Sequence, residues 1–315
     1  MRVVPRKMTL KDWEEELLAE RKETKLTANT TQWRLDPDAG VYYPSTKTNR
    51  KLPPGYYEVN SDSNGRIFFN PLPARGDTLL QFPDSAAKTV TDGITDFWGR
   101  EEIFREYGLP FKRGILLYGP AGMGKTSTLQ IIAREVISHG GVVLNYHVNL
   151  FSYGYRALRA IQPDTPLVVF IEDIELYENQ DTINGANTTS AFLNMLDGAE
   201  NIDRVVFLAT TNHPEKLSAR IINRPSRFDV TIEVPYPGKE MRTIYLSSLG
   251  GDIDTERYAR DTEGMSFAHI KELFISTVIL GNEYTETLAR LKAMSLAFHK
   301  PSDQPSANGL QGQYL

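Results

Sequence analysis

Short apolar runs alternate with helical stretches through the middle of the chain. Ile115–Tyr118, Val142–Val148, Leu167–Ile171 and Arg204–Ala209 read as strands, and Leu167–Ile171 is apolar throughout, as strands buried on both faces are. Val230–Val234 adds a fifth, alternating strand. Between them, helical periodicity runs up to His139, through Tyr155–Ile161 and through Ser190–Gly198. Strands that alternate with helices predict an α/β fold on a parallel sheet of five strands. From Lys239 to Met294 strand-like alternation stops, and helices are expected over Lys239–Ser248, Thr255–Asp261, Ser266–Val278 and Asn282–Met294, a small all-α domain.

The amino-terminal third is less regular. Thr9-Leu-Lys-Asp12 is a capping pattern ahead of Trp13, Leu17 and Leu18 at helical spacing, so one amphipathic helix is expected there. Thr27–Pro54 has weak periodicity and reads as loop or linker. Tyr56–Val59 and Arg66–Phe69 flank a turn ending in Asn64-Gly65, which predicts a hairpin. Its aromatics Tyr56, Tyr57, Phe68 and Phe69 either pack that hairpin against a neighbour or form a docking surface. A helix within Asp96–Arg113 carries Phe97, Ile103, Phe104 and Tyr107, is stopped by Gly108 and Pro110, and is a candidate wall for a base pocket. The expected divisions are an amino-terminal segment over 1–90, an α/β domain over 91–236, a helical domain over 237–298 and a disordered tail over 299–315.

Chemistry concentrates where the first strand ends. Gly119-Pro120-Ala121-Gly122-Met123-Gly124-Lys125-Thr126-Ser127 joins that strand to a helix and forms a complete phosphate-binding loop. The glycines let consecutive backbone N–H groups face phosphate oxygens, Lys125 reaches the outer phosphates, and the Thr126 hydroxyl is a ligand for Mg2+. About fifty residues on, the third strand delivers Glu172 and Asp173 at its carboxyl end, the first placed to hold Mg2+ and the second to deprotonate water. The fourth strand ends in Thr210-Thr211-Asn212, polar groups where a γ-phosphate should lie.

Composition narrows the setting. The net charge is −5 with no cysteine, and the pI is about 5.7. The acidic balance argues against a broad grip on nucleic acid, and the lack of cysteine rules out disulfides and thiolate metal sites. Without a signal peptide or any apolar run near the ~20 residues needed to span a bilayer, a soluble, cytoplasmic protein with no membrane partner is expected.

In their order, these motifs resemble the AAA family of ring-forming ATPases over about Ile94–Ala293. They are the phosphate loop, Phe170-Ile-Glu-Asp173, Leu196-Asp-Gly198, Ala209-Thr-Thr-Asn212 and Asn223-Arg-Pro-Ser-Arg-Phe-Asp229. The lead-in Gly108-Leu-Pro-Phe-Lys-Arg-Gly114, the Glu-Asp order and His213 after Asn212 are most similar to the subgroup of the mitochondrial Rieske-protein translocase, whose mitochondrial members carry a membrane helix that this sequence lacks. The resemblance implies an AAA core with a helical lid, Mg-dependent ATP hydrolysis, and a hexameric ring that remodels or translocates a protein client. It implies that Asn212 senses the γ-phosphate, that Arg224 and Arg227 are fingers reaching into a neighbouring subunit's site, and that Phe151, Tyr153 and Tyr155 form a pore loop, with core packing the competing role for these aromatics. Gly264-Met-Ser-Phe-Ala-His269 is similar to the family's Gly-Phe-Ser-Gly-Ala-Asp, with Phe267 in place of the second glycine. The family's usual acidic order is Asp-Glu, and a displacement of about 1 Å in a catalytic group can cost roughly a hundredfold in rate, so slowed turnover is expected. Two other classes stay open at this stage: an ATP-dependent switch or scaffold with little turnover, and a DNA-associated loader, which the charge balance disfavours.

Overall fold

The computed structural model describes residues 32–36, 41–45, 51–63, 65–73, 80, 82, 85–178, 188–197, 202–222 and 227–297. The chain divides into two compact units, Met1–Leu52 and Pro53–Leu315. In the first, β1 (Gln32–Asp36) and β2 (Val41–Ser45) pair antiparallel, with Gln32 opposite Ser45 and Asp36 opposite Val41. This corrects the loop or linker expected over Thr27–Pro54. Five-residue strands carry too few positions for a period to register, and their partners supply the order. The helix expected after Thr9 lies outside the described residues, as does the tail from His299.

The second unit is built on a seven-stranded sheet in the order β4-β3-β6-β7-β8-β5-β9. Its strands are β3 (Gly55–Ser61), β4 (Ile67–Pro71), β5 (Lys112–Tyr118), β6 (Val142–Asn145), β7 (Leu167–Ile171), β8 (Val205–Thr211) and β9 (Val230–Glu233). All neighbours run parallel except the β3/β4 hairpin. The five expected strands are therefore extended by two, because the hairpin joins the sheet at β6. Tyr56 and Tyr57 are buried by that pairing, Tyr56 edge-on to Phe170 with ring centroids 5.6 Å apart, whereas Phe68 stays exposed. Packing, not docking, accounts for the two tyrosines.

Helices cover the sheet. They are α1 (Ala86–Trp98), α2 (Glu101–Glu106), α3 (Lys125–Ser138), α4 (Phe151–Ile161), α5 (Glu175–Glu178), α6 (Thr188–Asp197) and α7 (Ala219–Ile222). The single helix expected within Asp96–Arg113 is two, broken at Gly99, and α1 runs across the division expected at residue 90. Phe97 stacks on Phe111 at 4.2 Å and Phe104 meets the same ring at 5.3 Å, so these side chains anchor α1 and α2 beneath β5. Ile103 and Tyr107 are exposed. Strands β7 and β8 are buried along their whole length, which explains their continuous apolar sequence.

The carboxyl-terminal part is helical: α8 (Lys239–Leu249), α9 (Thr255–Asp261), α10 (Phe267–Phe274), which runs on into a π turn at Ile275–Ile279, and α11 (Tyr284–Ala297). Leu246, Tyr258, Met265, Ile270, Leu273 and Leu291 form its core. It meets the sheet domain where the Ala268 N–H donates to the Gly122 carbonyl at 3.4 Å. No helix among the described residues is long and apolar enough to cross a membrane.

Candidate functional site

The loop from β5 to α3 can wrap a polyanion because of its glycines. Gly122 and Gly124 have φ of 79° and 91°, in the left-handed region that side chains rarely adopt. A Cβ on Gly119 would lie 2.4 Å from the Val234 carbonyl oxygen, and one on Gly122 would lie 2.9 Å from Ser266 Oγ, so both positions also need the missing side chain for close approach. The loop feeds the N-terminus of α3, whose free N–H groups and dipole favour negative charge.

Lys125, the first residue of α3, is buried and donates through Nζ to the Gly119 carbonyl at 2.5 Å and the Pro120 carbonyl at 2.9 Å. Burial pushes its pKa down, while the Asp173 and Glu175 carboxylates pull it part of the way back. Next to it, Thr126 Oγ1 donates to Glu172 Oε2 at 3.0 Å, which joins the loop to the end of β7. Asp173 has φ of 48°, uncommon for a residue with a side chain. Thr210 at the end of β8 meets that turn: its hydroxyl accepts from the Asp173 N–H at 3.2 Å and its carbonyl accepts from the Ile174 N–H at 2.9 Å. The result is an Asp173 carboxylate facing Asn212, whose Nδ2 donates to Oδ1 at 2.9 Å.

A cleft of about 770 Å³ passes these groups. Its polar lining includes Lys125, Thr126, Asp173, Thr210 and Asn212, and its apolar lining includes Leu80, Phe82, Met241, Tyr245, Leu249 and Phe267. The polar lining suits phosphates and the apolar lining a flat ring. The expected base-pocket wall at Phe97, Ile103, Phe104 and Tyr107 is corrected: those residues do not line the cleft, and its near wall is the segment that leads into α1. Phe82 and Tyr245 escaped sequence reasoning because each is a single aromatic outside any motif.

The two expected fingers separate. Arg224 lies outside the described residues. Arg227 is only 3% exposed and grips Asp197 of its own chain with two 2.7 Å hydrogen bonds, Nε to Oδ1 and Nη2 to Oδ2, and Nη1 donates to the Arg220 carbonyl. Within the single chain, Arg227 is thus held by a carboxylate and a carbonyl of its own chain. The three aromatics expected in a pore loop divide between buried and exposed positions. Phe151, Tyr153 and Tyr155 lie on α4, not on a loop. Phe151 and Tyr155 are buried, and the Tyr155 hydroxyl accepts from the Asp203 N–H at 2.7 Å and donates to the Asp203 carbonyl at 2.9 Å. Gly154 lets α4 close on the sheet, since a Cβ there would lie 2.5 Å from Val59 Cγ2. Tyr153, 60% exposed, is the one aromatic of the three open to solvent.

Residues 115–236 match the family described as ATPase family associated with various cellular activities (AAA). That stretch is an AAA domain. Relatives of the chain that contains it include the ATP-dependent zinc metalloprotease FtsH of Synechococcus sp., 30% identical over 255 residues, covering 72% of this chain and 38% of that protein. A proteasome-activating nucleotidase of Aeropyrum pernix is 32% identical over 262 residues, 72% of this chain and 63% of that protein. The probable mitochondrial chaperone bcs1 of Schizosaccharomyces pombe is 32% identical over 176 residues, 52% of this chain and 37% of that protein. The chain spans less than two thirds of the length of each of these relatives. The matched stretch contains most of β5, all of β6–β9 and, in the cleft, Lys125, Thr126, Asp173, Thr210 and Asn212, and Leu80, Phe82, Met241, Tyr245, Leu249 and Phe267 come from the flanking sequence.

Proposed function

We propose that the protein hydrolyses ATP in an oligomeric assembly and uses the cycle to remodel or translocate a protein client. The observation that carries this reading is the meeting of Lys125, Thr126, Asp173 and Asn212 on one cleft, with Glu172 bonded to Thr126. Lys125 leaves the Gly119 and Pro120 carbonyls for the outer phosphates, so each ion pair it makes replaces a hydrogen bond inside the loop. Asp173 takes the proton from the attacking water as its oxygen bonds to the γ-phosphorus and the bond to the β–γ bridging oxygen breaks, which leaves ADP. Asn212 holds that carboxylate and reaches the γ-phosphate. Thr126 and Glu172 are hard oxygen donors 3.0 Å apart that fit Mg2+, which supplies charge neutralisation on the phosphate oxygens when bound. With two protein oxygens at hand, phosphate oxygens and water would supply the remaining ligands, as is usual for Mg2+.

The trans guanidinium expected of a ring now falls to Arg224, which completes a neighbouring site on this reading. The names of the relatives, a proteasome-activating nucleotidase and a chaperone among them, favour a protein client. Nearness to the subgroup of the mitochondrial Rieske-protein translocase rests on the Glu172–Asp173 order and the Gly108–Gly114 lead-in. Phosphate release by the purified protein tests the reading: turnover that rises with protein concentration and disappears in Lys125→Ala supports it. Undiminished turnover in Lys125→Ala would falsify the assignment of the site, and nucleotide binding with no turnover at any concentration points to a switch instead.

A further inference from the structure

With phosphates at the loop and a γ-phosphate near Asp173 and Asn212, the apolar lining of the same cleft, Leu80, Phe82, Met241, Tyr245, Leu249 and Phe267, is what suits the rest of the nucleotide. Phe267 is the best-held ring there. Its neighbour Ser266 caps α10 by accepting from the His269 N–H at 3.3 Å, and its other neighbour Ala268 is hydrogen-bonded to Gly122. Tyr245 braces the ring edge-on at 4.9 Å, and the Phe267 ring comes within 3.8 Å of where a Cβ on Gly124 would stand. Phe267 is thus fixed just beyond the phosphate loop.

One face of this ring carries Phe82, with centroids 5.5 Å apart and planes 15° from parallel. Phe82 also lines a second cavity of about 320 Å³, beside Lys88, Thr91, Ile131 and Glu135. The stacked position is therefore not its only available space. A nucleobase is a flat aromatic of similar size that stacks with the same offset geometry.

Resting on the nucleotide reading above, we propose that Phe267 is the stacking platform for the nucleobase, and that Phe82 occupies this platform until the base displaces it toward the neighbouring cavity. The two phenylalanines then affect affinity in opposite directions. Phe267 adds contact to the bound state, whereas Phe82 competes with the ligand.

Equilibrium binding of ADP and of inorganic tripolyphosphate, which has no base, tests this on the full chain. Phe267→Ala should weaken ADP binding about tenfold, in the range for removal of one base-stacking ring, and leave tripolyphosphate unchanged. Phe82→Ala should tighten ADP binding several-fold, also with tripolyphosphate unchanged. Phe267→Trp should keep the affinity, and its added fluorescence, over that of the native tryptophans, should fall with ADP and not with tripolyphosphate. The proposal is overturned if Phe267→Ala binds ADP normally, if it loses both ligands equally, or if Phe82→Ala weakens ADP as Phe267→Ala does. Failure of the unaltered protein to bind ADP and tripolyphosphate overturns the nucleotide reading as well, which separates the two.

Discussion

Asn212 Nδ2 donates a 2.9 Å hydrogen bond to Asp173 Oδ1, joining the ends of two neighbouring strands, β8 and β7, at the cleft. An amide donor on Oδ1 leaves Oδ2 as the oxygen that would take the proton on the proposed reading. Asn212→Ala should lower the turnover number by about one to two orders of magnitude, the span of general-base positioning, with ADP affinity within about twofold. Phosphate release and ADP titration on the same preparation check this, and equal losses in both would remove the positioning role.

Buried Arg227 and half-buried Asp197 make a two-pronged ion pair, so Arg227→Ala takes from the carboxylate two charge-assisted hydrogen bonds and leaves a gap where the guanidinium packed. Arg227→Ala should destabilise the protein by about 3 kcal/mol. Urea unfolding read by circular dichroism measures it. A normal unfolding midpoint combined with lost ATPase activity would return Arg227 to the finger role.

Tyr155 and Tyr153 lie on α4, the first buried and the second exposed. Tyr155→Phe removes the hydroxyl that both accepts from and donates to Asp203, and should cost about 1–2 kcal/mol of stability. Tyr153→Ala should leave the melting temperature within about 1 °C, as expected for an exposed side chain, and act only on client-stimulated turnover. A drop in melting temperature for Tyr153→Ala would place that ring in packing too.

Glu101 ties α2 to the turn before β8 through Arg204, at 2.6 Å, and bonds Arg105 on its own helix at 2.5 Å. Burial pushes its pKa up, but hydrogen bonds and charge from the two arginines outweigh burial and hold the carboxyl below its usual range. A lowered folded-state pKa stabilises above the unfolded value, about 4.3, and that stability is lost as pH falls through the folded value. Glu101→Gln should therefore be about 1 kcal/mol less stable at pH 7, and the gap to the unaltered protein should close as pH drops below about 4. Thermal melts across pH 3–7 test the sign, and a gap that widens in acid contradicts it.

The Gly119–Ser127 loop, the Glu172–Asp173 strand end and the four carboxyl-terminal helices were legible in the sequence because each is specified locally. A buried strand must be continuously apolar, a phosphate loop needs glycine at fixed spacing, and an amphipathic helix repeats every 3.6 residues. Tertiary structure decided what local pattern cannot carry. It inserted the Tyr56–Phe69 hairpin as the sheet edge, because an antiparallel pair has the same period whether it stands alone or adds to β6. It buried Tyr155 and Arg227, because exposure depends on residues distant in sequence, Asp203 and Asp197. It also assembled the apolar lining of the cleft from Phe82, Tyr245 and Phe267, three rings spread over 186 positions that only the folded chain brings to one nucleotide-sized space.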